Sequence, residues 1–207
     1  RFSHLHFAAN KDAYNRLIRS GEEKKRVFNV GAPQLDEIKN KEYLRKEQLK
    51  KNYPNIDSFF LVVFHPITEE FKELKLYINN LCRALDSFKE QKVWILPNND
   101  AGSSIIRESL LKYRNSESVY FRNLSRFDYL GLLNSCKILI GNSSSGIMEA
   151  PYYGVPCINI GSRQHNRSKS KSQININFRK KIIIETIKKI KKKNKTKKIF
   201  GFSDSSK

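Results

Sequence analysis

The densest chemistry in the chain lies in Gly141-Asn142-Ser143-Ser144-Ser145-Gly146-Ile147-Met148-Glu149-Ala150-Pro151. An apolar run, Ile138-Leu139-Ile140, empties into this stretch, and a helix is expected straight after it. Ser143, Ser144, Ser145 and Gly146 are small, so a backbone of this kind lets an anion approach closely. Amides at a helix start, together with the positive end of its dipole, favour phosphate. Glu149, about one turn on, has the acceptor chemistry for vicinal hydroxyls such as those of a ribose. The same residues also describe an ordinary strand-to-helix turn, with serine as N-cap and glutamate in the first turn. The context supplied by the other motifs favours the anion site.

Three further groups stand at ends of apolar runs. His65 closes Phe59-Phe60-Leu61-Val62-Val63-Phe64 and precedes Pro66, Thr68, Glu69 and Glu70. An imidazole there can donate to a leaving phosphate or move a proton near neutral pH, although a lone histidine is commonly structural. Asn98, Asn99 and Asp100, inside Pro97-Asn98-Asn99-Asp100-Ala101-Gly102-Ser103, offer amides and a carboxylate. Asx-turn chemistry with Ser103 as a cap accounts for them equally well. Arg163 follows the next apolar run in Gly161-Ser162-Arg163-Gln164-His165-Asn166-Arg167, and a guanidinium beside a phosphate-binding turn neutralises a diphosphate directionally. Arg167 is a weaker candidate, and either arginine also fits an ordinary basic surface. His4 and His6 alternate along a short apolar stretch with nothing else resembling a metal set, so no metal is expected.

The elements that must position these groups alternate. Strands are expected at Phe2 to Ala8, Val27 to Val30, Phe59 to Phe64, Val93 to Leu96, Val119 to Phe121, Ile138 to Ile140 and, last, Val155 to Ile160. Helices are expected at Asp12 to Ser20, from Leu35, at Lys41 to Lys51, through Phe71, Leu74, Ile78, Leu81 and Leu85, from Ser103, at Phe127 to Leu133, and from Gly146 through Tyr153. Such alternation argues for an α/β fold, a Rossmann-like doubly wound parallel sheet. Ligands then bind beyond the carboxyl ends of the strands, where His65, Asn98–Asp100, Ser143 and Arg163 all fall.

Length and charge set the limits. The 207 residues suit one domain or slightly more. No apolar run reaches the roughly 18 residues of a membrane span. Cys82, Cys136 and Cys157 sit in apolar segments without C-x-x-C spacing, so buried reduced thiols and a cytoplasmic location are expected. The net charge of +20 suggests nucleic acid, but residues 166–207 hold 15 Lys/Arg against Glu185 and Asp204, which is +13 of it. Such lysine-rich usage reads first as solvated surface; a nucleic-acid tail would bind without sequence preference and with strong salt dependence.

The motifs, taken in order, resemble a known family. His65-Pro66-x-Thr68-x-Glu70, Pro97-Asn98-x-Asp100-Ala101-Gly102-Ser103 and Gly141-Asn142-Ser143-Ser144-Ser145-Gly146-Ile147-x-Glu149-Ala150-Pro151 are followed by Pro156-x-Ile158-Asn159-Ile160-Gly161-x-Arg163-Gln164. Ser3-His4-Leu5-His6-Phe7 and Val27-Phe28-Asn29-Val30-Gly31 precede them. The set is similar to the hydrolysing UDP-N-acetylglucosamine 2-epimerases of sialic and nonulosonic acid synthesis. That resemblance implies the C-terminal half of a two-domain, glycosyltransferase-B-like fold, with UDP-sugar in the cleft, neither metal nor nicotinamide, and a homo-oligomer. It implies anti elimination of UDP followed by hydration to N-acetylmannosamine. By matching position, Ser143, Ser144 and the amides around Ser145 and Gly146 hold the diphosphate, and Glu149 holds the ribose. Asn98, Asn99, Asp100 and Arg163 assist UDP, His65 stabilises or protonates the leaving group, and backbone at Asn123-Leu124 faces the uracil.

The resemblance also carries departures. Asn166 stands where glycine is usual before Arg167, and Ala32-Pro33-Gln34 replaces Ser/Gly-Pro-Gly. The family's acid/base carboxylates belong to an N-terminal domain absent here, so both ends read as cut and the chain alone is expected not to turn over substrate. The expected layout is a remnant of that domain at 1–24, a UDP-binding domain at 25–165 and a lysine-rich segment with a helix at 166–207. A UDP-sugar glycosyltransferase of the same architecture is the nearest alternative, since fold alone does not separate the two. A basic nucleic-acid-binding module is the other.

Overall fold

Five successive apolar residues, Phe59–Val63, form a strand buried on both faces, as a central parallel strand must be. In the computed structural model, which describes residues 3–40, 42–113, 116–164 and 172–194, this strand, β3, is central to a six-stranded parallel sheet. The others are β4 (Gln91–Ile95), β5 (Ser118–Phe121), β6 (Ile138–Gly141), β7 (Cys157–Ile160) and β8 (Gln173–Ile176), in the order β5-β4-β3-β6-β7-β8. From β3 the chain winds outward through β4 and β5, then returns to β6 on the other side and winds outward again. The doubly wound sheet expected from the alternation is therefore present. Its switch of direction falls between β3 and β6, which pair in register with Val63 opposite Gly141.

Alternation along the strands fills two layers. Phe60, Val62 and Phe64 face a cluster built from α4 (Leu74–Leu85), α5 (Ser103–Tyr113) and α8 (Lys180–Asn194). On α4, Leu74, Ile78, Leu81 and Leu85 form the buried stripe. Phe71 is excluded from it: it lies in a 3-10 turn, Thr68–Glu73, ahead of the helix and is exposed. The second layer contains α3 (Lys46–Asn52), α6 (Arg126–Ser135) and α7 (Ser145–Met148). Here α3 starts later than the polar pattern suggests. The Leu44 N–H donates to Phe127 O at 3.3 Å and Leu44 packs on Gly131, so the chain is held extended before the helix.

The chain divides into two compact units, one ending at Glu42 and one starting at Tyr43. In the first unit β1 (His6–Ala8) pairs in parallel with β2 (Val27–Asn29) across α1 (Lys11–Arg19), which keeps the strand at 27–29 out of the large sheet. Asn10 caps α1, its Oδ1 accepting from the Ala13 N–H at 2.8 Å. The first unit also holds α2 (Asp36–Lys39).

Nor is Val155–Ile160 the last strand. β8 extends the sheet, and α8 buries Ile183, Ile187 and Ile190 against it. Each such side chain contributes roughly 1.5–3 kcal/mol. Part of the lysine-rich segment, Lys180–Asn194, is therefore an amphipathic helix of the domain itself, and its Lys191 pairs with Glu90 and lies 5.5 Å over the Phe88 ring. Residues 165–171 and 195–207, with Asn166 and Arg167, lie outside the described residues. Cys82, Cys136 and Cys157 are buried free thiols, and burial pushes Cys82 and Cys157 up to about 12. Among the described residues no helix is long and apolar enough to cross a membrane.

Candidate functional site

The switch between β3 and β6 is tight because Gly141 makes it so. With φ at +138°, its backbone approaches β3 so closely that a Cβ would lie 2.0 Å from Val63 O. Only glycine fits. Asn142 follows, fully buried, and its N–H donates to Val63 O at 3.1 Å. Its side chain then clamps the end of β3 reciprocally: Oδ1 accepts from the His65 N–H and Nδ2 donates to His65 O, both at 2.8 Å. One buried amide thus satisfies two backbone groups just beyond a strand.

The same residue gathers the third loop. Asn142 O accepts from Gln164 Nε2 at 2.7 Å and from Arg163 Nη1 at 3.3 Å. In that loop Ser162 Oγ donates to Glu70 Oε1, tying the end of β7 to the turn after β3. His65 Nδ1 is buried without a hydrogen-bond partner among the described residues. Burial, and secondarily the Arg163 charge, holds the His65 pKa below the ordinary imidazole value, against an opposing pull from Asp100. His65, Asn142, Arg163 and Gln164 therefore share one site, with Asp100 within electrostatic reach.

The serine turn differs from the expected long helix. α7 has four residues, and a 3-10 turn, Ala150–Tyr153, replaces the rest. Pro151 is the physical reason, since it has no N–H to continue the ladder and disfavours helical backbone at Ala150. Ser143 organises the turn: its Oγ accepts from the Ser145 N–H at 3.3 Å and its carbonyl from the Gly146 N–H at 3.2 Å. Ser144 holds the N-cap position without a side-chain capping bond. Gly146 sits hard against β7, where a Cβ would meet Cys157 Sγ at 2.2 Å. Glu149, 5% exposed, pairs through Oε1 with Arg126 Nη1 at 2.6 Å, while its Oε2 is buried without a hydrogen-bond partner among the described residues. Burial, with the Glu149 charge adding to it, pushes the nearby Tyr129 phenol well above its usual range.

Away from this knot, Asn98, Asn99 and Asp100 are exposed beyond β4. Ser103 is the first residue of α5 rather than its cap, and its Oγ is buried without a partner among the described residues. Asn98, Asn99 and Asn123 line an open cleft of about 560 Å³ with Leu96, Pro97, Arg107 and Arg122. Arg107 Nη1 donates to Pro97 O at 3.3 Å. Leu124 is not among the lining residues. Sequence reasoning singled out neither arginine, since one lies inside an amphipathic helix and the other just past a short strand. It also passed over Asn142, Gln164, Glu70 and Ser162, although all stand inside or beside the motifs; only burial reveals what they do. Arg126 carried no signal.

The family profile described as UDP-N-acetylglucosamine 2-epimerase matches residues 1–207. The chain belongs to this family. It is 37% identical to the UDP-N-acetylglucosamine 2-epimerase of Neisseria meningitidis serogroup B over 90% of this chain and 50% of the relative. It is 38% identical to the GDP/UDP-N,N'-diacetylbacillosamine 2-epimerase (hydrolyzing) of Campylobacter jejuni over 84% of this chain and 47% of that protein. The chain thus spans about half the length of these curated relatives. A co-structure of S. aureus MnaA with UDP superimposes with a TM-score of 0.75 at 17% identity, over 98% of this chain and 56% of the other. At that identity the likeness speaks for the fold, which this epimerase-family chain shares.

Proposed function

We propose that the chain supplies the UDP-sugar-binding half of a hydrolysing UDP-N-acetylglucosamine 2-epimerase, which converts UDP-N-acetylglucosamine and water to N-acetylmannosamine and UDP. What supports this most is the Asn142 clamp, which joins the loops carrying His65, the serine turn and Arg163 into one anion-facing site. In this reading the turn Ser143, Ser144, Ser145 and Gly146 receives the diphosphate, Arg163 neutralises it, and Asn98, Asn99 and Asp100 flank it. Glu149 offers the ribose Oε2, which has no hydrogen-bond partner among the described residues, with Oε1 held by Arg126. Asn123 and Leu124 edge the uracil.

The chemistry follows from these placements. Loss of the C2 proton and departure of UDP from C1 give a glycal. Water then adds, with hydroxyl to C1 and a proton to C2 on the opposite face, so atoms balance. His65 is neutral before substrate arrives and still has one ring N–H to donate to the departing β-phosphate. The growing phosphate charge strengthens that hydrogen bond, so the ring stabilises the leaving group without giving up its only N–H proton. The carboxylates that move the C2 proton lie, by family resemblance, outside this chain. Incubating the intact protein with UDP-N-acetylglucosamine should release UDP and N-acetylmannosamine in equal amounts. Transfer of the sugar to an acceptor without free N-acetylmannosamine would instead identify a glycosyltransferase.

A further inference from the structure

One bond at the switch point has no part in the chemistry just described. Ser162 Oγ donates to Glu70 Oε1 across 92 residues of sequence. Glu70 sits at a kink in the 3-10 turn after β3, with φ −111° and ψ 24°. Its other oxygen, Oε2, is buried without a hydrogen-bond partner among the described residues. Glu70 as a whole is half-buried, and covering one of its oxygens without a partner is costly, so the position is demanding.

Ser162 lies between two anchored neighbours. Gly161, at φ +85°, is wedged so that a Cβ would come 2.5 Å from the Phe178 ring and 3.4 Å from Ile67, and its N–H donates to Ile176 O at 3.0 Å. Arg163 reaches Asn142 O. The contacts close a circuit: His65 to Asn142, Asn142 to Arg163, Ser162 to Glu70, and Glu70 back along the chain to His65. The Ser162 link fixes the peptide that lies between the wedged Gly161 and the Arg163 and Gln164 side chains, which both hold Asn142 O.

We propose that Glu70 is a positioning residue, which through Ser162 sets the backbone that points Arg163 at the anion bound at the switch point. The identity of that anion rests on the UDP reading above; the tether does not. Glu70→Ala and Ser162→Ala should each weaken UDP binding to this chain about tenfold, the scale of one lost charge-assisted hydrogen bond. The double variant should be no weaker than either single one, because both remove the same link. Glu70→Gln keeps an acceptor oxygen and should stay within about threefold of the parent. In an Arg163→Ala background, Glu70→Ala should cost nothing further, an outcome a purely structural glutamate would not give. Amide hydrogen exchange at Ser162, Arg163 and Gln164 should quicken in Glu70→Ala. An equal loss of UDP affinity with and without Arg163 overturns the proposal. A parent chain that does not bind UDP overturns the UDP reading instead, and the exchange measurement then decides alone: unchanged exchange at 162–164 sinks the tether.

Discussion

Two regions at the carboxyl edge of the sheet are built on opposite principles. At the switch between β3 and β6, polar groups are bonded to one another around a fully buried amide: Asn142 alone engages Val63, the half-buried His65, the buried Gln164 and the exposed Arg163. Beyond β4 and β5, the cleft lined by Asn98, Asn99, Arg107, Arg122 and Asn123 is open, and both asparagines after β4 are exposed. The first region spends buried hydrogen bonds to fix geometry, as a site for a transition-state charge requires. The second keeps donors solvated and adaptable, as suits a part of a ligand that only needs to be held. Substitutions should therefore couple stability to binding in the first region and separate them in the second.

The largest effect should come from Asn142→Ala. It removes both side-chain bonds of the clamp and strands the His65 N–H and C=O in a buried setting. The expected loss is about 2–5 kcal/mol of unfolding free energy, read by urea denaturation, with UDP binding abolished. A variant with parental stability would show that the clamp does not hold the switch point together.

Arg126→Ala should come next. It leaves Glu149 buried without its cation, a change that costs about 3–5 kcal/mol in a fully buried pair. Arg126 is 36% exposed, so water screens part of the cost, and about 1–3 kcal/mol is expected. Replacing both residues, with Glu149→Gln added, should restore part of that stability, because no charge is then left alone. A double variant less stable than Arg126→Ala would sink this account.

These two residues mark how far the sequence was legible. The strands and the doubly wound order were readable because a run such as Phe59–Val63 has few alternatives, and the strand-end motifs pointed to one edge of the sheet. β8 was not readable. Gln173-Ile174-Asn175-Ile176 alternates as a strand should, yet lysine and asparagine around it mask the apolar signal, and its partner β7 is what gives it a place. Ile183, Ile187 and Ile190 carry helical spacing, but lysines dominate the composition between them. Asn142 and Arg126 show a second limit. Motif reading selects residues with chemistry to offer a ligand, whereas a buried amide that bonds only to protein, or an arginine that completes a carboxylate, is chosen by packing from distant parts of the chain.

A smaller effect should appear with pH. The folded state holds the His65 pKa below the 6.5 of a free imidazole. The unfolded chain therefore takes up that proton first, so this contribution to stability is complete above pH about 6.5 and is lost as pH falls through it. His65→Gln should flatten that part of the stability profile. Bound UDP, by placing negative charge beside the ring, should raise the folded-state pKa back toward the unfolded value and so shrink the fall in the parent chain but not in the variant. Identical profiles for the two chains without UDP would show that His65 is not held neutral.

The smallest effect on stability should come from the edge cleft, and it is the one that separates the two regions most cleanly. Arg122 is exposed, and its loss should change unfolding free energy by less than about 0.5 kcal/mol. If the phosphates sit at the switch point and the base end lies toward Asn123, Arg122→Ala should weaken UDP about threefold, the scale of one solvated polar or stacking contact. Binding of inorganic pyrophosphate, which reaches only the switch point, should be unchanged. Equal losses for UDP and pyrophosphate would place Arg122 with the phosphates and erase the division between the two regions. A loss confined to UDP would fix the direction in which the nucleotide lies across the sheet, from the Asn142 knot outward over β3 and β4 to the end of β5.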